Sequence, residues 1–210
     1  MLQQLLELVR KKNIFRWNLK NLEIKLIATI LYYAGISFRK TSRFLADFER
    51  FGHESVRVWY HKMSRVFTTS KKYRRCIAVD ETKIKIENRN WYVWAAIDVD
   101  SWEIVGVMVT EWRTSIDVIK FAREILKYCE NKPVIKTDRG PWYRWTLQRL
   151  GLKHEYETFG ERNAIEGWFN ILKARLKRFW KRFPFNASKE SVESWITAFV
   201  ALYNLEVRNC

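Results

Sequence analysis

The segment CIAVDETKIKIENRNWYVWAAIDV, residues 76–99, carries two hydropathy patterns in succession. Residues 76–80 (CIAVD) are apolar up to a closing acid, the pattern of a short strand buried on both faces. Residues 82–87 (TKIKIE) alternate strictly, residues 88–90 (NRN) make a turn, and residues 91–99 (WYVWAAIDV) return as another strand. Downstream, residues 103–110 (EIVGVMVT) read as a strand. Residues 114–129 read as an amphipathic helix with Ile116, Ile119, Ala122, Ile125 and Leu126 inward. Residues 133–138 (PVIKTD) form a buried strand that ends on an acid. A short helix near 142–149, a strand near 153–157 and two long helices, 161–182 and about 188–204, complete the chain. Antiparallel strands first, then alternating helix and strand, predict an α/β fold: a mixed sheet with helices packed on it.

Upstream of residue 76 the apolar period is that of helices. Leu22, Leu26, Ile27, Ile30 and Leu31 form a stripe that ends at Gly35. Ser37 is placed to cap a second helix with Phe38, Thr41, Phe44, Leu45 and Phe48 on its inner face. After a turn at Gly52, Ser55 is placed to cap a third helix with Val56, Trp59, Tyr60, Met63, Val66 and Phe67 inward. The opposite face offers Arg57, His61, Ser64 and Arg65 to a partner. Three short helices with a glycine turn before the last form the helix-turn-helix pattern, whose final helix enters the major groove. A plain three-helix structural element would share the pattern, and charge favours DNA. The polar, basic stretch 68–75 (TTSKKYRR) reads as a linker, which divides the chain into a helical domain, 1–70, and an α/β domain, 71–210.

The 210 residues carry a formal net charge of +16, which points to a polyanionic partner. Residues 1–75 hold 17 Lys/Arg against 5 Asp/Glu, and the remainder 22 against 18, so most of the excess lies in the helical third. No apolar run approaches the roughly 20 residues of a membrane span. The start, MLQQLLELVRKKN, has Glu7 inside its apolar stretch and no small-residue cleavage site, so it does not read as a signal peptide. Three scattered cysteines (Cys76, Cys129, Cys210) suggest neither a disulfide framework nor a zinc site. The expectation is a cytoplasmic, nucleoid-associated protein with no membrane partner.

Asp80 and Asp138 each close a buried strand, and in open sheets ligands collect beyond the carboxyl ends of parallel strands. Two aspartates delivered there repel unless a cation shares them. Oxygen donors alone select Mg²⁺ or Mn²⁺ over zinc. Two such ions about 4 Å apart activate a water or a 3′-hydroxyl and stabilise the leaving oxygen of a phosphodiester. On helix 161–182, at about 100° per residue, Arg162, Glu166, Asn170, Lys173 and Lys177 fall within roughly 40° of one line beside the apolar face. Glu166 is the one carboxylate on that line, and the cations suit DNA phosphates. Six of the ten residues 173–182 are Lys or Arg, which extends the basic path. Glu81, Asp98, Asp100 and Glu161 are neighbouring acids; Asp98 and Asp100 read as turn residues, and Glu161 is the alternative third acid.

With these motifs the chain resembles the DDE transposases of short insertion sequences. These join an N-terminal helix-turn-helix to an RNase H-like catalytic core of the retroviral-integrase superfamily. The resemblance runs over residues 20–205 and rests on three stretches: Ala78-Val79-Asp80-Glu81-Thr82, Lys136-Thr137-Asp138 and Arg162-Asn163-Ala164-Ile165-Glu166, continued to Lys173. The spacing of Arg162, Glu166 and Lys173 matches the arginine–glutamate–lysine signature around the last acid of several transposase groups. That signature has a tyrosine three residues before the arginine, where this chain has Phe159. The resemblance implies an RNase H-like mixed five-stranded sheet with flanking helices. It also implies a catalytic, metal-binding triad of Asp80, Asp138 and Glu166, and Mg²⁺ as cofactor with Mn²⁺ as substitute. DNA contacts are expected from Arg57, His61, Arg65, Arg162, Lys173 and Lys177. The implied partners are double-stranded DNA, as terminal inverted repeats and target, and further copies of the chain in a homodimer or larger synaptic complex. The implied reaction is metal-dependent strand cleavage at element ends followed by strand transfer. A structure-specific nuclease or resolvase on the same core, and a non-catalytic DNA-binding regulator, are the competing readings.

Overall fold

The computed structural model describes residues 1–16, 19–87, 89–177, 183 and 187–208. The expected turn residue Asn88 and the basic path beyond Lys177 lie outside the described residues. The chain divides into two compact units, residues 1–68 with 190–210 and residues 69–189.

The sheet unit is built on β1 (Cys76–Ile86), β2 (Arg89–Asp98), β3 (Ile104–Thr110), β4 (Val134–Thr137) and β5 (His154–Tyr156). Their order is β3-β2-β1-β4-β5. The first three form an antiparallel meander, while β4 runs parallel to β1 and β5 parallel to β4. This is the mixed five-stranded sheet of an RNase H-like core. The two stretches that read as separate strands, 76–80 and 82–87, are one strand with a change of surroundings. From Cys76 to Ala78 it is flanked by both β2 and β4, and Cys76–Val79 are all buried. Beyond that point it pairs only with β2, and Lys83 and Lys85 reach solvent while Ile84 and Ile86 stay inside. A strand's hydropathy pattern follows its neighbours, so the period changed without the strand ending.

Helices cover both faces. α5 (Ser115–Leu126) crosses between β3 and β4, opened by a capping box in which Thr114 and Asp117 satisfy each other's backbone N–H groups. Its buried residues are Val118, Phe121, Ala122 and Ile125, whereas Ile116 is 63% exposed. The expected inner stripe is thus rotated, because Phe121 is the side chain that tilts against Trp94 at 6.3 Å in the core. α6 (Arg144–Arg149) completes that face, and α7 (Asn163–Lys177) lies against β1 and β2. The stretch expected as a linker is anchored from Thr69 onward, since Arg74 is fully buried.

The other unit contains α1 (Leu2–Lys11), α2 (Leu22–Tyr33), α3 (Phe38–Phe44), α4 (His53–Lys62) with a tighter turn at Met63–Val66, and α8 (Lys189–Val207). α2 begins on Asn21, whose Oδ1 accepts from the Glu23 N–H at 2.7 Å, and ends before Gly35, whose φ of +106° suits glycine. Ser37 caps α3 as expected, accepting from the Lys40 N–H at 3.3 Å. α3 stops at Phe44, so Phe44 and Phe48 are exposed rather than inward: the chain turns before a second helical stripe can form. α4 starts at Gly52, not Ser55, which lies inside the first turn. Its inner face is the expected one, with Val56, Trp59, Tyr60, Met63 and Val66 buried. α8 was expected in the α/β domain. Instead Trp195 Nε1 donates to Tyr32 Oη at 3.0 Å and Tyr33 donates to Glu206 at 2.6 Å. α8 is buried on most sides, and a helix that is apolar all round requires partners all round.

Candidate active site

Asp80 lies within β1, not at its end, yet it stands just past the last β1–β4 pair. Ile77 pairs with Ile135 and Ala78 with Lys136, so the same register carried two residues further sets Asp80 level with Asp138. Neighbouring strands are about 4.8 Å apart. The antiparallel meander lets β1 continue past β4, so an acid in mid-strand still sits at the carboxyl end of the parallel pair. Successive side chains alternate across the sheet. Val79 and Glu81 face α5 and α6, and Asp80 faces α7.

On the α7 side, Arg162 precedes the helix, and its guanidinium joins two of the predicted acids. Nη2 donates to Asp80 Oδ2 at 2.8 Å and Nη1 to Glu166 Oε1 at 2.6 Å. The Arg162 backbone N–H donates to Glu157 Oε2 at 3.1 Å, which fixes the start of α7. Asp80 Oδ1 accepts from the Glu81 N–H at 2.8 Å, and Asp138 Oδ1 accepts from the Gly140 N–H at 2.9 Å. Burial pushes the Asp80 carboxyl up to about 6 against the opposing pull of Arg162, with the charges of Glu81 and Asp138 adding to the rise. Among the described residues no three His, Cys, Asp or Glu stand close enough to hold a metal ion. The donors nonetheless suit a hard divalent cation: all are carboxylate oxygens, and two already share one cationic group, the Arg162 guanidinium.

Glu81, set aside in sequence as a neighbouring acid, is almost fully buried on the opposite face. It accepts from the Tyr143 hydroxyl and, at 3.3 Å, from Arg113 Nη1. The Arg113 guanidinium lies 4.6 Å from the ring centres of both Tyr92 and Trp142. This cluster fastens the segment after Asp138 to β1, and nothing in the sequence pattern of Tyr143 or Arg113 announced it. Glu161 is spoken for: Arg75 and Lys136 hold it at 2.5 and 2.7 Å and draw its carboxyl down to about 2. Asp98 accepts from the backbone N–H groups of Asp100 and Ser101, as a turn residue does, and also pairs with Arg74. Asp100 pairs with Arg75. A cleft of about 370 Å³ opens beside Asp138, lined by Asp138, Arg139, Tyr156, Glu157, Thr158 and Arg162.

Of the predicted DNA contacts, Lys173 and Lys177 are exposed along α7, and Arg162 is buried against the acids. In the helical unit Arg65 is exposed and Arg57 pairs with Glu54 at 2.6 Å. His61 departs from its expected place. Its Nδ1 lies 3.3 Å from Ser194 Oγ of α8, and burial lowers its pKa to about 4, so at neutral pH it carries no charge to offer a phosphate.

The DDE domain family matches residues 75–207. The chain is 45% identical over 199 residues to an uncharacterized protein of Methanocaldococcus jannaschii, covering 94% of this chain and 93% of that one. It is 41% identical over 87 residues to an uncharacterized protein of Aquifex aeolicus, covering 41% and 71%. Among solved structures it is similar to the integrase catalytic core domain of HTLV-2 in complex with magnesium, at 19% identity and a TM-score of 0.48 over 63% of this chain and 88% of that one. With the match spanning all five strands and most of the chain, the chain belongs to the DDE domain family of transposases.

Proposed function

We propose that this chain is the transposase of an insertion sequence, which cleaves DNA at the element's ends and transfers the freed strand to a target. Asp80, Asp138 and Glu166 are its catalytic and metal-binding residues in this reading, and Mg²⁺, or Mn²⁺ in its place, is the cofactor. The observation that carries it is the register of β1 on β4, which sets Asp80 and Asp138 level, together with the Arg162 bridge that ties Glu166 to Asp80. Asp80, Asp138 and Glu166 would hold the ions, whose positive charge would favour deprotonation of the attacking water or 3′-hydroxyl and offset charge on the leaving oxygen. The chain's own groups then position the strand. Lys173 and Lys177 on α7 contact phosphates, Arg139 and Arg162 line the cleft beside Asp138, and Arg57 and Arg65 contact the terminal inverted repeats. Two ends must be held together for transfer, so the working form is a homodimer or larger synaptic complex in the bacterial or archaeal cytoplasm, on the nucleoid.

The test is cleavage and joining of DNA that carries the element's ends, with Mg²⁺, by the wild type and by Asp80→Ala, Asp138→Ala and Glu166→Gln. Each variant is expected to bind DNA and to lose cleavage and joining by at least about a hundredfold, of the order seen when charge stabilisation is removed at a transition state. Full activity in Glu166→Gln would move the third acid elsewhere. Cleavage without joining in the wild type would favour a nuclease.

A further inference from the structure

We propose that Arg162 is a resident counter-cation of the acid cluster, which a divalent metal must displace, so that metal loading releases the guanidinium toward the DNA phosphate. The inference rests on the reading of Asp80 and Glu166 as metal ligands. Its ground is the position of one side chain. Arg162 contacts Asp80 and Glu166 through separate nitrogens, at 2.8 and 2.6 Å, with its own side chain 10% exposed and that of Asp80 13% exposed. Its third donor, Nε, is buried with no hydrogen-bond partner among the described residues. A guanidinium has five N–H donors, and a buried one left unmet is a cost that another position can relieve.

A divalent metal taken up by Asp80 and Glu166 would compete with the guanidinium for the same carboxylate oxygens. Two cations drawn to one pair of carboxylates would also repel, so metal and bridged arginine would exclude one another. The released side chain has somewhere to go. Arg162 lines the cleft beside Asp138 together with Arg139, and a phosphate oxygen there would meet two guanidiniums. The displaced arginine thereby becomes a phosphate ligand at the step when the metal arrives. Exchange of partners orders the site: carboxylates for arginine, then carboxylates for metal and arginine for phosphate.

The first measurement uses the wild-type chain without DNA. Phenylglyoxal labelling of Arg162, mapped by mass spectrometry, is expected to be slow without metal and to speed up several-fold when Mn²⁺ saturates the site. Labelling that stays unchanged while Mn²⁺ is bound overturns the proposal. The second compares Mn²⁺ affinity, read from the paramagnetic resonance of free Mn²⁺, in wild type, Arg162→Gln and Lys136→Gln, with Asp80→Ala as the marker of the site. Loss of two charge-assisted hydrogen bonds that compete with the metal should tighten binding by roughly tenfold or more in Arg162→Gln. Lys136→Gln removes the same charge nearby without touching the bridge, and should change affinity little. Equal tightening in both variants, or none in Arg162→Gln, overturns competition at the bridge. If no protein binds Mn²⁺ in a manner that depends on Asp80, the metal reading of the triad fails first and this inference with it.

Discussion

His61 shows how one contact changes what a side chain can do. On α4 its ring faces Ser194 of α8, and burial, with Arg57 adding to it, lowers its pKa from 6.5 to about 4. The folded chain therefore keeps this ring neutral down to about pH 4, whereas the unfolded chain protonates it near 6.5. The stabilisation is whole above pH 6.5 and is lost as pH falls toward 4. Melting temperatures measured from pH 7 to 4 should fall more steeply in the wild type than in His61→Gln. Parallel curves would show that the ring titrates freely in the folded chain. Arg162 presents the opposite case, since its place on one helix line with Glu166 was visible in sequence, but its bridge from Glu166 to Asp80, 82 positions earlier, was not.

Between elements, the stretch from Thr69 to Arg74 works as an anchor. The Arg74 guanidinium is fully buried and donates to Asp98 Oδ2 at 2.5 Å, Glu103 Oε2 at 3.2 Å, Thr69 Oγ1 at 3.1 Å and the carbonyl oxygens of Ser70 and Tyr128. It locks the approach to β1 onto both ends of the β2–β3 turn and onto the end of α5. Asp98 and Glu103 are buried carboxylates, so removing their common partner leaves two charges in a poorly solvated place. Arg74→Ala should lower the stability of the sheet unit by about 3–5 kcal/mol in urea unfolding. A loss under about 1 kcal/mol would mean that Lys72, 3.6 and 3.4 Å from the two acids, suffices to balance them.

Across the chain, the first and last segments form one unit and the middle forms the other. α8 supplies Trp195 and Phe199 to an aromatic cluster with Tyr32, Tyr33 and Tyr60. A chain cut after residue 189 should keep its sheet unit and lose protection in residues 1–68, because the faces of α2 and α4 that α8 covers would meet water. Limited trypsin digestion reads this directly: cleavage is expected throughout the first 68 residues and resisted from 69 to 177. Equal resistance in the truncated and full chains would show that the first four helices hold without α8. The DDE family match extends to residue 207 and so takes in α8, although that helix packs with the N-terminal helices.

The strands, the α/β class, the three early helices and the placing of Asp80 and Asp138 near a shared sheet end were legible in the sequence. Hydropathy period and terminal acids are local properties, written in consecutive residues. Three matters were decided only by the folded chain. The unity of β1 depended on β4 ending where it does, which changed the strand's surroundings halfway along. The company of α8 depended on which apolar surfaces were left to cover, and an all-round apolar helix does not encode its partner. The bridge from Arg162 to Asp80 and Glu166, and the Tyr143–Glu81–Arg113 cluster behind it, join residues far apart in the chain. Charge pairing at such separations is fixed by sheet register and helix placement, and sequence spacing carries no record of either.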